Sequence, residues 1–376
     1  MMITLGDKFR ALLATGRVAN LPTVWSNVLV GFWISSFFIH EYLRDDQGQA
    51  VRLILMLIIM IVASMIYVGG CMLGDAKDIE FDRKNRPNRP LPKGILSVGA
   101  VQFASYSLFI LAIFGLFAST LLAVVLSYFV IDEWSYKEII RLISDDSTLN
   151  AIQLHEMLLG CLLMACVIVY AFNHKKNKRA ALVMMASCRF LLVMLAIGTA
   201  HKTFFSNHYS SNSPLELQSE WLKGWMFVYA IAVAAYTLLL SWVASTESKP
   251  GAFQARSILT GLLLALPALT FVFQAVLFSP EAPLRTVWAT DLHGGWSLYR
   301  EPAYFSLAVA LALTYTWLLF ALHGLKTSKP VFVSRALAGF CLLDASFIAA
   351  FAPGIAMVCL SLFGLALLLQ KATPAT

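Results

Sequence analysis

Long apolar segments recur through this chain of 376 residues and constrain its fold more than any other feature. Hydrophobic residues make up 59% of the chain and charged residues only 13%, a composition typical of a membrane protein rather than a water-soluble domain. An α-helix of about 20 apolar residues crosses the hydrocarbon core of a bilayer. The sequence therefore predicts an all-α, polytopic membrane protein. Nine spans are predicted, at about 21–39, 51–73, 98–131, 157–172, 181–200, 225–244, 257–278, 304–322 and 335–369, the last with a kink at Pro353-Gly354.

The polar segments between these spans predict a single transmembrane domain over 1–376, with an extramembrane insertion at 132–155. The apolar positions within this insertion suggest a small amphipathic helix that lies on the membrane surface. All six cysteines lie in or at the ends of apolar segments, which predicts no disulfide framework and no Cys-x-x-Cys metal site. The N-terminus does not have the pattern of a cleavable signal peptide, so none is expected.

The net charge of +7 is better explained by membrane orientation than by nucleic-acid binding. With nine spans and the N-terminus inside, 17 Lys and Arg residues fall on the cytoplasmic side and nine on the opposite side. Cytoplasmic loops of membrane proteins carry such an excess of cations. The sequence therefore predicts a cytoplasmic N-terminus, with the functional segment at the end of the second span on the same side. In a bacterium the membrane would be the inner membrane.

That functional segment combines carboxylates and cations directly after an apolar span. Asp75, Asp78 and Asp82 are spaced three and four residues apart, which predicts that they share one face of a helix. Mg²⁺ is bound by carboxylates together with water and phosphate oxygens. Cations suited to phosphate follow: Arg83, Lys84, Arg86, Arg89 and Lys93. The segment thus predicts a site for Mg²⁺ and a phosphate-bearing ligand, although a solvated charged loop between two membrane helices is the simpler alternative.

The pattern Asp-x-x-Asp-x-x-x-Asp, followed after five residues by Asn-Arg-Pro-Leu-Pro-x-Gly at 88–94, resembles the first signature of the UbiA superfamily of intramembrane prenyltransferases. The resemblance implies nine helices around a central cavity that opens to the cytoplasm. It also implies Mg²⁺-dependent transfer of a polyprenyl group from a prenyl diphosphate to a lipophilic acceptor, often an aromatic one. Membrane lipid is the implied surrounding and nucleic acid is not a partner. The family motif begins with Asn, where this chain has Gly74.

Two other segments of the chain correspond to known elements of the family. The second aspartate motif of the family, Asp-x-x-x-Asp, corresponds here to a segment with one carboxylate, Glu247. Tyr170-x-x-x-His174-Lys175 resembles the Tyr-x-x-x-Lys element of the family, which lies near the diphosphate or the reacting centre. An interfacial tyrosine followed by a basic loop explains the same residues without any chemistry.

Ionisable residues also occur deep inside apolar spans, where they are costly in lipid. Arg189 and Asp344 are expected to face the cavity or each other, either as a structural ion pair or as a site for a polar group of the acceptor. Asn27, about two turns into the first span, faces a neighbouring helix or the cavity. The predicted catalytic residues are Asp75, Asp78, Asp82 and Tyr170; the metal ligands are Asp75, Asp78, Asp82 and Glu247; the substrate-binding residues are Asn27, Arg83, Arg86, Arg89, His174, Lys175 and Arg189.

The departures at Gly74 and Glu247 motivate an alternative function. In that alternative, the chain keeps a UbiA-like fold but has weak or no turnover, and it binds or transports a lipophilic small molecule. An unrelated secondary transporter is disfavoured because the sequence shows no internal repeat. The primary prediction is an Mg²⁺-dependent prenyltransferase.

Overall fold

The computed structural model describes residues 4–37, 46–129, 146–205, 215–246, 253–277, 296–350 and 352–372. The regular structure in these ranges is helical throughout. The helices are α1 Leu5–Thr15, α2 Leu21–Phe37, α3 Asp46–Lys77, α4 Ile79–Asn85, α5 Val98–Phe129, α6 Asp146–Asn173, α7 Lys178–Phe205, α8 Leu215–Ala244, α9 Arg256–Leu277, α10 Trp296–Thr327, α11 Lys329–Ile348 and α12 Pro353–Ala372, with one 3₁₀ turn at Val18–Asn20.

Eight of the described helices are long and apolar enough to cross a membrane, namely α3, α5, α6, α7, α8, α10, α11 and α12. Helix α2 is apolar but has only 17 residues, and the apolar stretch of α9 is also short. Large apolar side chains remain exposed on the outer surface, as a lipid environment requires; Phe103 is 76% exposed and Leu368 is 65% exposed. The predicted all-α polytopic membrane architecture is confirmed, whereas the count of nine spans is not.

The last predicted span, 335–369, is wrong, because two antiparallel helices occupy that region. Ser334, near the start of α11, donates a hydrogen bond of 3.1 Å to the side chain of Gln370 near the end of α12. Pro353 begins α12 and cannot continue a preceding helix, since it lacks an N–H and its ring disfavours helical geometry in the residue before it. The chain therefore reverses instead of kinking. As a result Lys371 lies at the same end as Lys329, the end rich in cations.

The predicted insertion at 132–155 lies partly outside the described residues, which resume at residue 146. From Asp146 onwards the chain is already helix α6, which continues without a break to Asn173. The last part of the predicted insertion is therefore the beginning of a long helix, whereas the apolar positions that predict the amphipathic surface helix, at 134–143, lie outside the described residues. The division into one domain and an insertion stays a prediction.

Helix α2 lies at the centre of the bundle, where it contacts α3, α7, α8, α11 and α12. Its side chains are accordingly buried, including the polar Thr23, Ser26 and Asn27, each of which has no exposed surface. Buried polar groups need hydrogen-bond partners within the protein, because lipid supplies none. The interior position of α2 thus brings these side chains together with polar groups from the surrounding helices.

Close packing of α3 against α6 depends on a glycine. A Cβ atom added at Gly70 would overlap the side chain of Val167. We expect Gly70→Ala to destabilise the protein by about 1–3 kcal/mol, because the overlap forces the helices apart or the valine out of its preferred rotamer. The measurement is the midpoint of thermal unfolding in detergent. Gly261→Ala is the control, since a Cβ there meets no atom within 4 Å; equal midpoints for the two variants would contradict the prediction.

Candidate functional site

The loop that follows α4 is anchored by one apolar side chain. Leu91 is only 5% exposed and belongs to a small core cluster with Met72 and Ala76 of α3 and Val101 of α5. Because Leu91 fixes the loop against these two helices, Arg89, two residues earlier, is held in the interior and is 7% exposed. A cation is thereby placed among the carboxylates at the end of α3.

Arg89 joins two of the three predicted aspartates. Its Nη1 atom lies 2.8 Å from Asp82 Oδ2 and 3.3 Å from Asp75 Oδ1. Arg17 approaches from the other side of Asp75, with Nη2 at 3.4 Å from the same Oδ1 atom. Asp75 and Asp82 are both buried. Two carboxylates and two guanidinium groups therefore form a compact cluster of alternating charge, which we call the Asp75–Asp82 cluster.

Asp78 lies apart from this cluster, so the prediction that the three carboxylates share one helical face is wrong. The backbone leaves α3 at Lys77, and Asp78, with φ −88° and ψ 2°, connects α3 to α4. Its carboxylate faces the end of α6, where His174 Nε2 lies at 3.1 Å and Lys175 Nζ at 2.6 Å. The break at Asp78 thus divides the aspartates into a pair and a separate ion pair.

The contacts of Asp78 with His174 and Lys175 shift the pKa values of both Asp78 and His174. Burial disfavours the charged form of Asp78, but hydrogen bonds from His174 and Lys175 outweigh it and hold the pKa of the carboxyl below its usual value. The hydrogen bond to Asp78 raises the pKa of His174. The other ring nitrogen, Nδ1, lies 3.1 Å from the carbonyl oxygen of Tyr170. With an acceptor at each nitrogen, the imidazolium form of His174 is favoured.

The Tyr170-x-x-x-His174-Lys175 element therefore lies beside the aspartate segment. The ring of Tyr170 stacks on His174 with a centroid distance of 5.1 Å. Lys175 also lies over the ring of Phe81, at 4.1 Å from its centroid. The predicted residues of this element are thus brought to the site, next to Asp78 rather than next to Asp75.

Two other predicted residues are not brought there. Arg83 and Arg86 are exposed, and neither forms a hydrogen bond through its side chain or an ion pair with another described residue. Both side chains are therefore part of an ordinary basic surface. Glu247, the predicted metal ligand after α8, lies outside the described residues.

Arg17 is a site residue that the sequence prediction missed. It has φ 48° and ψ 42°, and it is the only non-glycine residue with positive φ in the part of the chain that the structure describes. This left-handed conformation costs about 1–2 kcal/mol for a residue with a Cβ. Burial opposes the charge of Arg17, but the Asp75 carboxylate outweighs it and raises the pKa of the guanidinium. In the sequence, Arg17 is one of the 17 cations that the predicted orientation places on the cytoplasmic side, and that interpretation assigns it no role in the site.

A second polar cluster lies between α2, α7, α8 and α11, and it contains the predicted Asn27 and Arg189. Arg189 Nη1 donates a hydrogen bond of 2.7 Å to Asn27 Oδ1. The amide nitrogen of Asn27 donates to both carboxylate oxygens of Asp344, at 3.0 and 2.8 Å. The hydroxyl of Tyr229 also donates to Asp344, at 2.8 Å. Arg189 and Asp344 therefore do not form a direct ion pair, and Asn27 connects them.

Tyr67 stands between the two clusters. Tyr67, Cys71 and Asp75 are spaced four residues apart on α3, which places them on one face, with Tyr67 about 12 Å along the helix from Asp75. The Arg189 guanidinium carbon lies 6.0 Å from the centre of the Tyr67 ring. Asn20 donates a hydrogen bond of 3.2 Å to the Tyr67 hydroxyl. The polar interior is therefore one elongated region with an acidic end at Asp75 and a basic end at Arg189.

The carboxylates at the acidic end suit Mg²⁺ only in part. Among the described residues, no group of three or more His, Cys, Asp or Glu side chains converges as a metal site would require. However, Asp82 is 2% exposed, and its Oδ1 atom is buried and has no hydrogen-bond partner in the described part of the chain. Mg²⁺ commonly takes only one or two carboxylates and completes its shell with water and substrate phosphate. Asp75 and Asp82 fit such a shared site, and an all-protein metal site does not fit.

Residues 24–142 match the UbiA prenyltransferase family. The chain is similar to digeranylgeranylglyceryl phosphate synthase of Sulfurisphaera tokodaii, with 36% identity over 85 residues, which cover 23% of this chain and 30% of that protein. The enzyme of the same name from Saccharolobus solfataricus is 30% identical over 97 residues, covering 26% of this chain and 30% of that protein. The chain thus matches less than a third of the length of either relative. A solved structure from work on digeranylgeranylglyceryl phosphate synthase in membranes aligns with a TM-score of 0.46 and 17% identity, over 93% of this chain and 99% of that one.

Proposed function

We propose that this chain, a member of the UbiA superfamily, transfers a polyprenyl group from a prenyl diphosphate to a lipophilic acceptor within the membrane. One observation supports this function most directly. Arg89 joins the buried Asp75 and Asp82, and Asp82 Oδ1 has no hydrogen-bond partner among the residues that the structure describes. Carboxylates and guanidinium groups within one cluster suit a ligand that brings both a divalent cation and phosphate oxygens.

The binding of a prenyl diphosphate exchanges partners within the Asp75–Asp82 cluster. Arg17 and Arg89 turn their donors from carboxylate to phosphate oxygens, which a guanidinium binds in a bidentate manner. Asp75 and Asp82 would then be available to hold Mg²⁺, which would stabilise the negative charge on the departing diphosphate. His174 and Lys175 add positive charge from the end of α6.

In the proposed reaction the bond between the allylic carbon and the diphosphate oxygen breaks, and the electron pair leaves with the diphosphate. The allylic carbon then bonds to the acceptor, which loses a proton. The aromatic ring of Tyr170, close to this site, offers a π face to the positive charge that develops on the allylic carbon. The apolar interior keeps water away from that carbon.

The acceptor belongs to one of two classes. The resemblance to the superfamily predicts an aromatic acceptor, and the names of the relatives indicate a glyceryl lipid that carries phosphate. The site is proposed to face the cytoplasm together with the N-terminus, which is supported by the cations of the aspartate loop and the α6–α7 connection.

The test is diphosphate release by the purified protein in lipid nanodiscs. Farnesyl and geranylgeranyl diphosphate are supplied with Mg²⁺ or with EDTA, and with either class of acceptor. We expect release only with Mg²⁺ and faster release with one acceptor class. Binding of prenyl diphosphate without release under any condition would instead favour the alternative, a UbiA-fold protein that binds or transports a lipophilic molecule. The observation behind that alternative is that the protein's own cations already neutralise its aspartates.

A further inference from the structure

We propose that Arg189 binds an oxyanion, either carboxylate or phosphate, carried by the acceptor, and that Asn27, Asp344 and Tyr229 are positioning residues that hold Arg189 for this purpose. The inference rests on the proposed function, since it names the group by which the acceptor of that reaction is held. It concerns the basic end of the polar interior, away from the Asp75–Asp82 cluster.

The first argument is the direction of the hydrogen bonds. The Asn27 amide donates to Asp344 and accepts from Arg189, so the orientation of the amide is determined on both sides. Tyr229 donates to the same carboxylate, and neither its side chain nor those of Asp344 and Asn27 has exposed surface. A chain of buried hydrogen bonds from α8 through α11 and α2 thus fixes the position of one guanidinium on α7. Such fixed donors are what a binding site requires.

The second argument is the set of donors that remains. A guanidinium has five N–H groups in a rigid plane. Three of them are used, two on Nη1 and one on Nη2, toward Asn27 and toward the carbonyl and hydroxyl of Thr23. In the described part of the chain the other two, on Nε and Nη2, have no acceptor. These two N–H groups lie on one edge of the guanidinium plane, which is the edge that pairs with a planar oxyanion.

The third argument is charge. Arg189 is 9% exposed and lies within a helix that crosses the membrane. No ion pair joins it to a carboxylate among the residues that the structure describes. Phe340, with its ring centre at 4.8 Å from the guanidinium carbon, and Tyr67, at 6.0 Å, offer only aromatic faces. A buried cation that lacks a direct counter-ion is costly, and a bound anion removes that cost.

The fourth argument is a second unsatisfied atom nearby. Asn20 is 3% exposed, and its amide nitrogen donates a hydrogen bond to the Tyr67 hydroxyl. Its Oδ1 atom is buried and has no hydrogen-bond partner within the described ranges. An acceptor hydroxyl is a suitable donor to this oxygen. Asn20 lies on the Tyr67 side, between Arg189 and Asp75. The ligand class is therefore a molecule with an oxyanion at one end and a hydroxyl nearer the aspartates, which includes both hydroxylated aromatic acids and glyceryl lipid phosphates.

The experiment measures equilibrium binding in nanodiscs without any prenyl diphosphate. Two pairs of probes are used, an aromatic hydroxy acid with its methyl ester, and a glyceryl lipid phosphate with the same lipid lacking the phosphate. We expect the charged member of at least one pair to bind at least tenfold more tightly than its neutral partner, about 1.4 kcal/mol. Arg189→Gln should abolish this preference, and Lys371→Gln, which removes an exposed cation at the end of α12, should retain it. The pair that shows the preference identifies the source of the oxyanion.

A second variant tests the inference even if Arg189→Gln does not fold. Tyr229→Phe keeps the buried ring and removes only the hydrogen bond to Asp344. In turnover it should raise the KM for the charged acceptor about threefold to tenfold and leave the KM for prenyl diphosphate and kcat unchanged, whereas a purely structural role would move all of them or none.

Three outcomes would overturn the inference: equal binding of charged and neutral probes by the unaltered protein, a charge preference that survives in folded Arg189→Gln, or an unchanged acceptor KM in Tyr229→Phe. A preference that depends on Arg189 in a protein that releases no diphosphate would support this subsite and contradict the proposed reaction. Release of diphosphate without any charge preference would support the proposed reaction and contradict the Arg189 subsite. The two failures are thus distinguishable.

Discussion

Asp82→Asn is expected to lower the rate of prenyl transfer at least about a hundredfold, whereas Asp78→Asn should lower it by less than about tenfold. The two residues have equal standing in the sequence motif. In the structure, Asp82 belongs to the buried Asp75–Asp82 cluster, and one of its oxygens has no hydrogen-bond partner among the described residues. Asp78 is about a fifth exposed and is already paired with His174 and Lys175.

The physical reason is the availability of the carboxylate. Asp82 can contribute its free oxygen to a cation that arrives with the diphosphate, and the amide of Asn lacks the negative charge to do so. Asp78 contributes mainly by holding His174 and Lys175 in place, and an Asn oxygen still accepts one hydrogen bond. Asp75→Asn should resemble Asp82→Asn, because Asp75 shares Arg89 with it.

The measurement is the initial rate of diphosphate release with saturating Mg²⁺ for the three Asp→Asn variants. Thermal unfolding of each variant serves as the control for folding. Equal losses at Asp78 and Asp82 would show that all three carboxylates act together in the loaded enzyme and that the division seen here does not persist when substrate binds.

Arg89→Gln is expected to destabilise the protein by about 3–5 kcal/mol in the absence of divalent metal. The Arg89 side chain is 7% exposed and separates two carboxylates whose side chains are 12% and 3% exposed. Without the guanidinium, Arg17 alone would face Asp75, and Asp82 would be a buried charge without a cation. Breaking a buried pair from one side is costly because the remaining charge stays out of water.

Magnesium should restore part of this stability, because a bound cation replaces the lost charge between Asp75 and Asp82. The measurement is thermal unfolding in detergent with EDTA and with Mg²⁺. Arg86→Gln is the matched control, since Arg86 lies in the same loop but is exposed and forms no ion pair with another described residue. If Arg89→Gln unfolds at the same temperature as Arg86→Gln in EDTA, the cluster does not stabilise the fold.

Much of the architecture followed from local patterns. Apolar segments of about 20 residues predicted the membrane helices because the thickness of a bilayer sets their length. The prediction failed at 335–369, where Pro353 and Gly354 were interpreted as a kink within one long span. Whether a proline bends a helix or separates two helices depends on the partners available to the chain on either side, and Ser334 and Gln370 show that α12 packs back along α11.

The sequence by itself determined the membrane class, the positions of most helices and the residues of the aspartate loop, because hydrophobicity, helical spacing and motif order are properties of neighbouring residues. Only the tertiary structure decided how the charges are shared. It separated Asp78 from Asp75 and Asp82, brought Arg17 to Asp75 in a left-handed conformation, and placed Asn27 between Arg189 and Asp344. These pairings join residues up to 317 positions apart. They arise because a buried charge needs a partner nearby in three dimensions, and the spacing of residues along the chain does not predict which residue that partner is.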